Sequence, residues 1–296
     1  MNTLLQVLLV GLAIGSVYGL MALGFVLIYK CCGIFNFAHG AILMLMAYMC
    51  WGFLVQFQLP VWLSLLLTLV VAAVLGLVIE RFTLHPLIGQ PILAMMMVTL
   101  GIFYFLNGLV NSAWSGTGAY KVYPPFIPAG ALSFGGIVVS QQLVWCAVVA
   151  LLGAIFFTFF FQRSSIGLTM RATAEDHEVA QSMGIGVKGT FAIAWAISSV
   201  LCAIGGILLG SVCGINLQLS SIGFKVFPVV LLGGLESIPG AIVAGLSIGV
   251  LEKLAACYLD PLVGGGMEEA FPYFILILVL LIRPYGLFGL KTIERL

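Results

Sequence analysis

Residues 4–29 read LLQVLLVGLAIGSVYGLMALGFVLIY, without one charged side chain. The run exceeds the ~20 apolar residues an α-helix needs to cross the hydrocarbon core of a bilayer. It is therefore the first transmembrane helix. Met1-Asn2-Thr3 ahead of it supplies no basic n-region, and no small-residue cleavage site follows a short core, so the sequence predicts an uncleaved anchor rather than a removable signal peptide. The rest of the chain has the same character. Of 296 residues 62% are hydrophobic and 7% charged, where soluble domains run at roughly 45–50% and about 25%. A soluble surface cannot be built from that composition, whereas a lipid-facing exterior can.

Outward from the first helix, residues 41–79 are again uncharged, and Gln56, Gln58 and Pro60 divide them into two spans closed by Glu80, Arg81 and His85. A fourth span is expected over 92–113, then an ordered loop over 114–136, rich in Gly, Pro, Ser and Tyr. A fifth is expected over 137–161. The longest polar interval, residues 162–188, must lie in water. A sixth span covers 190–213. Beyond a loop around Asn216 to Lys225, residues 226–235 are apolar but too few to cross as a straight helix. They make either a re-entrant half-helix shielded by neighbours or a short span inside the bundle, since lipid-exposed irregular backbone is not viable. Further spans are expected over 239–259 and 271–288, with Asp260, Glu268 and Glu269 between them. The fold class is thus an all-α integral membrane protein, one transmembrane domain over residues 1–296, a bundle of eight or nine transmembrane segments including one short or re-entrant helix.

Placing residues 162–188 in the cytoplasm puts Lys30, Arg81, Arg163, Arg171, Lys188, Arg283, Lys291 and Arg295 inside. Lys121 and Lys225 fall outside, and Lys253 falls within a span. The bias fits the positive-inside rule, with the N-terminus outside and the C-terminus cytoplasmic. Three ladders of small residues, Gly11-Gly15-Gly19, Gly206-Gly210-Gly214 and Ala241-Gly245-Gly249, each mark one helical face suited to close backbone approach.

A net charge of +1 leaves no basic patch for nucleic acid. The seven cysteines form no CxxC pair, and His39, His85 and His177 lie far apart, so no metal site is expected. Gly184 to Gly189 match GxGxxG formally, but neither a preceding strand nor the downstream acid of a dinucleotide site is present. No Walker A loop or GxSxG elbow occurs, so ATP hydrolysis or acyl chemistry must come from another chain.

Within the polar interval, helix formers run from Ala174 to Met183. Thr173 is placed as N-cap, Glu175 and Asp176 in the first turn where the helix dipole favours acids, and Gly184 as C-cap. Val179, Met183 and Ala180 or Ala172 then form a small apolar face suited to a groove in another protein. Inside the membrane, Asn36 and His39 sit at the join of the first two helices, where a broken helix would expose them to a translocation path. Glu252 sits in an apolar span and must face protein or water. A pathway role and an internal ion pair are both open for it, with Lys253 a poor partner because helix neighbours diverge.

The string ATAEDHEVAQSMGI at 172–185 resembles the cytoplasmic coupling segment of the branched-chain amino-acid ABC importer permeases. NFAHG at 36–40, ERFTLHPL at 80–87, GGLESIPGAIVAG at 233–245 and RPYGLFG at 283–289 agree with that family in order. The short N-terminus and NFAHG look more like the LivH-type subunit than its LivM-type companion. Ala41 and Glu236 stand where members often carry an acidic and a small residue. The resemblance implies ATPase coupling through Arg171, Ala172, Thr173, Ala174, Glu175, Asp176, Glu178, Ala180, Met183 and Gly184. It implies no cofactor on this chain, and ATP-Mg on two partner ATPases. It also implies a second permease subunit, LivM-type or another copy, an extracytoplasmic binding protein, and a place in the bacterial inner membrane. Branched-chain or hydrophobic amino acids are the expected solute, with urea or short amides second. An ATP-independent channel or facilitator is the rival, and it would need no docking helix.

Overall fold

The computed structural model describes residues 2–87, 89–114, 120–128, 130–134 and 137–289, excluding the side chains of Asn2, Thr3, Phe134 and Ile137. Lys291 and Arg295 lie outside the described residues. Helix α1 (Asn2–Cys32) runs through the middle of a helical bundle, with Leu20, Met21, Ala22 and Leu23 fully buried. From Ala13 to Ile28 it is buried without a break and is apolar all round, as an enclosed helix must be, while Leu4, Leu5, Leu9 and Leu12 nearer its start are exposed. Helix α2 (His39–Trp51) continues into a π-helical turn at Gly52–Gln56, and α3 (Val61–Ile79) into another at Glu80–Leu84. Next come α4 (Ile92–Trp114), α5 (Gln141–Arg163), α6 (Ser165–Glu175), α7 (His177–Ser182) and α8 (Val187–Cys213). The chain closes with α9 (Leu219–Gly233), α10 (Ile238–Tyr258), α11 (Asp260–Val263) and α12 (Met267–Ile282). Seven of these, α1 to α5 with α8 and α10, are long and apolar enough to cross a membrane, counting the π turns with α2 and α3. Helices α1, α2 and α8 form the buried interior, while α3, α4 and α5 leave most of their apolar surface bare, the arrangement expected of a lipid-facing rim.

The small-residue ladders explain how α1 is gripped. A Cβ on Gly11 would come within 2.7 Å of the Val250 Cα, and one on Gly15 within 2.6 Å of the Gly245 carbonyl oxygen. Gly19 meets Ile242, so two of the predicted ladders face each other across an antiparallel α1–α10 seam. The third is divided: Gly206 meets the Leu43 carbonyl of α2, whereas Gly210 and Gly214 lie against Tyr123 and Tyr120. Another close crossing, Gly40 on Gly223, joins α2 to α9.

Three boundaries differ from the sequence expectation, and the last helix is one, running over Met267–Ile282 rather than 271–288. Residues 131–134 and 137–140 form an antiparallel hairpin, β1 (Ala131–Phe134) and β2 (Ile137–Ser140), so the fifth helix starts at Gln141. The β-branched run Ile137-Val138-Val139 suits a strand as well as a helix, and hydropathy does not separate the two. The short segment is a helix from Leu219, not from Val226. Its cut at Lys225 was artificial, because that lysine is neutralised inside the bundle. Fifteen residues rise about 22 Å, less than the ~30 Å core. Helix α9 lies antiparallel to α10, Gly233 beside Gly240, and it is shielded by α1, α2 and α10. Pro228 inside it removes one backbone donor, which only a helix buried among others tolerates.

Candidate functional site

Chain ends and turns sort the bundle into two faces. Lys30, at the end of α1, donates to the Glu236 carbonyl in the α9–α10 turn, and Leu287 and Phe288 bond to Leu232 and Gly233 in the same place. The Cys31 thiol meets the Met170 carbonyl of α6. The C-terminal ends of α1, α5, α9 and α12, the start of α8, and α6 with α7 therefore share one face. Lys30, Arg163, Arg171, Lys188 and Arg283 all belong to it.

On this face the polar interval is two helices rather than one. Ser164 caps α6, its hydroxyl accepting from Gly167 N at 2.9 Å. Met170 and Thr173 turn fully inward. The Arg171 guanidinium donates to the Phe161 carbonyl and lies 5.7 Å over the Phe161 ring, fastening α6 to the end of α5. At Asp176 the backbone opens to φ −159°, and its carboxylate accepts from Glu178 N (2.8 Å) and Val179 N (3.0 Å). Asp176 is thus the N-cap of α7. The expected cap, Thr173, is buried within α6, and Glu175 ends that helix instead of starting one. The extended Asp176 overrides the helix-forming run, since a capping carboxylate satisfies two donors that a continuous helix would use otherwise. Gly184 does close the segment: at φ +84° it lets Ile185 N reach the Ala180 carbonyl at 3.0 Å.

What remains exposed is a ridge. Glu175, Asp176 and Glu178 point to solvent beside Val179 (58% exposed) and Met183 (78%), while Ala180 is turned inward; Arg171, Ala172 and Ala174 are half-buried behind it. His177 stands edge-on to Phe191 of α8, 5.5 Å between ring centres. The ridge thus contacts α5 through Arg171, α1 through Met170 and α8 through His177.

The intramembrane candidates do not converge. Asn36 and His39 are buried within this chain: the Asn36 side-chain oxygen accepts from Ala38 N at 3.0 Å, and His39 packs against Phe25 with Cys202 Sγ 3.3 Å from Nδ1. The NFAHG segment folds between α1 and α4, where Thr99 bonds to both Phe35 and Phe37. Glu252 is elsewhere, accepting from Lys225 Nζ at 2.9 Å and from the Tyr18 hydroxyl at 3.2 Å. Lys253 turns away to Glu268. Lys225 is the residue that sequence reasoning misplaced in a loop. A partial signal existed: read as a helical hairpin about the 234–237 turn with Gly233 beside Gly240, the sequence puts Lys225 about one turn short of Glu252, a gap that the long lysine side chain spans. Among the described residues no group of three or more His, Cys, Asp or Glu side chains could hold a metal ion.

Comparison with known proteins decides the family. A family model described as the permease component of a branched-chain amino acid transport system matches residues 7–281. The chain belongs to this family. The permease is 32% identical to the high-affinity branched-chain amino acid transport system permease protein BraD of Pseudomonas aeruginosa, over 98% of this chain and 97% of that one. It is 30% identical to LivH of Salmonella typhimurium, with the same coverage. Among solved structures it resembles PsaBC from Streptococcus pneumoniae in complex with Fab, at a TM-score of 0.51 and 12% identity, over 93% of this permease and 89% of that chain. That likeness supports the fold alone. Family and helices together make it a multi-pass membrane protein, a transport component rather than an enzyme.

Proposed function

We propose that this permease is one of two membrane subunits of an ATP-driven importer, and that it forms half of the translocation path for branched-chain or other hydrophobic amino acids. The observation that carries this is the α6–α7 ridge. A family member with no nucleotide-binding loop of its own presents, on its basic face, a short capped helix whose exposed side is acidic and apolar. By the positive-inside rule that face is cytoplasmic, which leaves the N-terminus outside and the C-terminus inside. Each ridge occupies a groove on one of two ATPases that carry ATP-Mg, and this chain binds no cofactor. The second subunit is a LivM-type companion or another copy, and an extracytoplasmic binding protein delivers the solute to the opposite face.

Closure of the ATPases draws α7 with it. The Arg171–Phe161, Cys31–Met170 and His177–Phe191 contacts carry the displacement into α5, α1 and α8, two of which are core helices. The glycine-lined α1–α10 seam provides a surface on which helices can shift without interlocking side chains. Glu178→Arg reverses a ridge charge, and Gly184→Trp puts a bulky side chain on a backbone at positive φ. Both are expected to abolish uptake and uncouple ATP hydrolysis while membrane insertion persists. Unchanged uptake by both variants would overturn the assignment of the ridge.

A further inference from the structure

On the face opposite the ridge, a cavity of about 450 Å³ opens between the end of α8, the first half of α9 and the start of α12. That volume falls within the range of sites that hold small molecules. Lys225 enters it from α9, Glu269 and Tyr273 from α12, and Leu219, Ile222 and Phe224 supply apolar wall. Lys225 pairs with Glu252 and Lys253 with Glu268, while Glu269, exposed in the first turn of α12, has its carboxylate at the cavity with no ion-pair partner among the described residues. Nor is the inner pair complete, for Glu252 Oε2 is buried and makes no hydrogen bond. A buried ion pair is a poor strut, because apolar residues of similar volume commonly stabilise as well or better. An ionisable pair retained inside a membrane bundle points to use. Lys225 spends one of its three donors on Glu252, and it lines the cavity.

We infer that this cavity is a transit subsite for a zwitterionic solute, with its carboxylate on Lys225 Nζ, its ammonium on Glu269, and its side chain against Leu219, Ile222 and Phe224. Glu252 and the Tyr18 hydroxyl are positioning groups that hold the lysine toward the cavity. The assignment rests on the importer function above and deepens it, giving this permease a recognition step of its own after delivery. The apolar wall accepts a branched or aliphatic side chain, and the paired charges reject solutes carrying only one sign.

The test uses the complete importer in vesicles, supplied with its binding protein, ATP and a branched-chain amino acid. Two forms of the permease are compared with wild type: Glu269→Gln, which lies outside the buried pair, and the swap Lys225→Glu with Glu252→Lys, which keeps the pair but reverses the charge facing the cavity. Both are expected to lower the maximal uptake rate at least tenfold, with the assembled complex and its ATP hydrolysis retained. A swap and a Glu269→Gln form that both transport like wild type overturn the subsite and leave the pair a structural contact. Wild type that imports no amino acid counts against the importer function itself, so the two failures are distinct.

Discussion

Asp176 decides the local shape of the ridge. Its carboxylate holds two backbone donors at the start of a six-residue helix that has too few hydrogen bonds to persist alone. Removing an N-cap costs about 1 kcal/mol, which in so short a helix is enough to fray it. Asp176→Ala is therefore expected to accelerate amide hydrogen exchange in α7 roughly fivefold or more by that energy, with exchange in α8 unchanged. Equal protection of α7 in both forms would show that Asp176 does not hold the helix. Glu252 shows the opposite economy. Its pair with Lys225 and Tyr18 joins α10, α9 and α1 at one depth of the bundle, where lipid offers a charge no alternative partner.

At the level of elements, the α1–α10 seam is where backbone meets backbone. A side chain on Gly249 would run into Gly15 and the Gly11 carbonyl, with no flexible group to yield. Gly249→Leu is expected to destabilise the permease by at least about 1–3 kcal/mol, the usual cost of overpacking, seen as a lower unfolding temperature in detergent. Gly101→Leu, on the exposed side of α4 with nothing nearby, is the silent control. A Gly249→Leu form as stable as the control would contradict the seam. The ladders were legible in sequence because spacing by four fixes a helical face, and two of the three indeed face each other. Which ladder met which was not legible, since it depends on the order of helices in space. The start of α9 and the β1–β2 hairpin were missed for a related reason. Hydropathy cuts at a lysine whose partner is distant in sequence, and it is blind to the strand preference of a short apolar run.

Across the whole molecule, composition pointed to a bilayer protein, and five short motifs in order resembled the permease family to which the comparisons assign the chain. The residues expected to couple all fall within α6, α7 and the turn that follows, yet their structural roles differ from the local reading: Thr173 is core rather than cap, Asp176 is the cap rather than first turn, while Gly184 closes the segment as expected. Such shifts follow from tertiary contacts, here Arg171 on Phe161 and Met170 beneath Cys31, that no local pattern contains. What the molecule presents as a whole is a lipid-embedded bundle with a docking ridge on its basic face and a charged cavity on the other. In the function proposed above, that polarity puts a motor on one side and a delivered solute on the other. The direct measurement is accumulation of a radiolabelled branched-chain amino acid in vesicles bearing this permease, its companion subunit, the ATPases and the binding protein. Uphill uptake that needs ATP and stops when the ATPases are omitted is the predicted result. ATP-independent equilibration through the permease alone would contradict it.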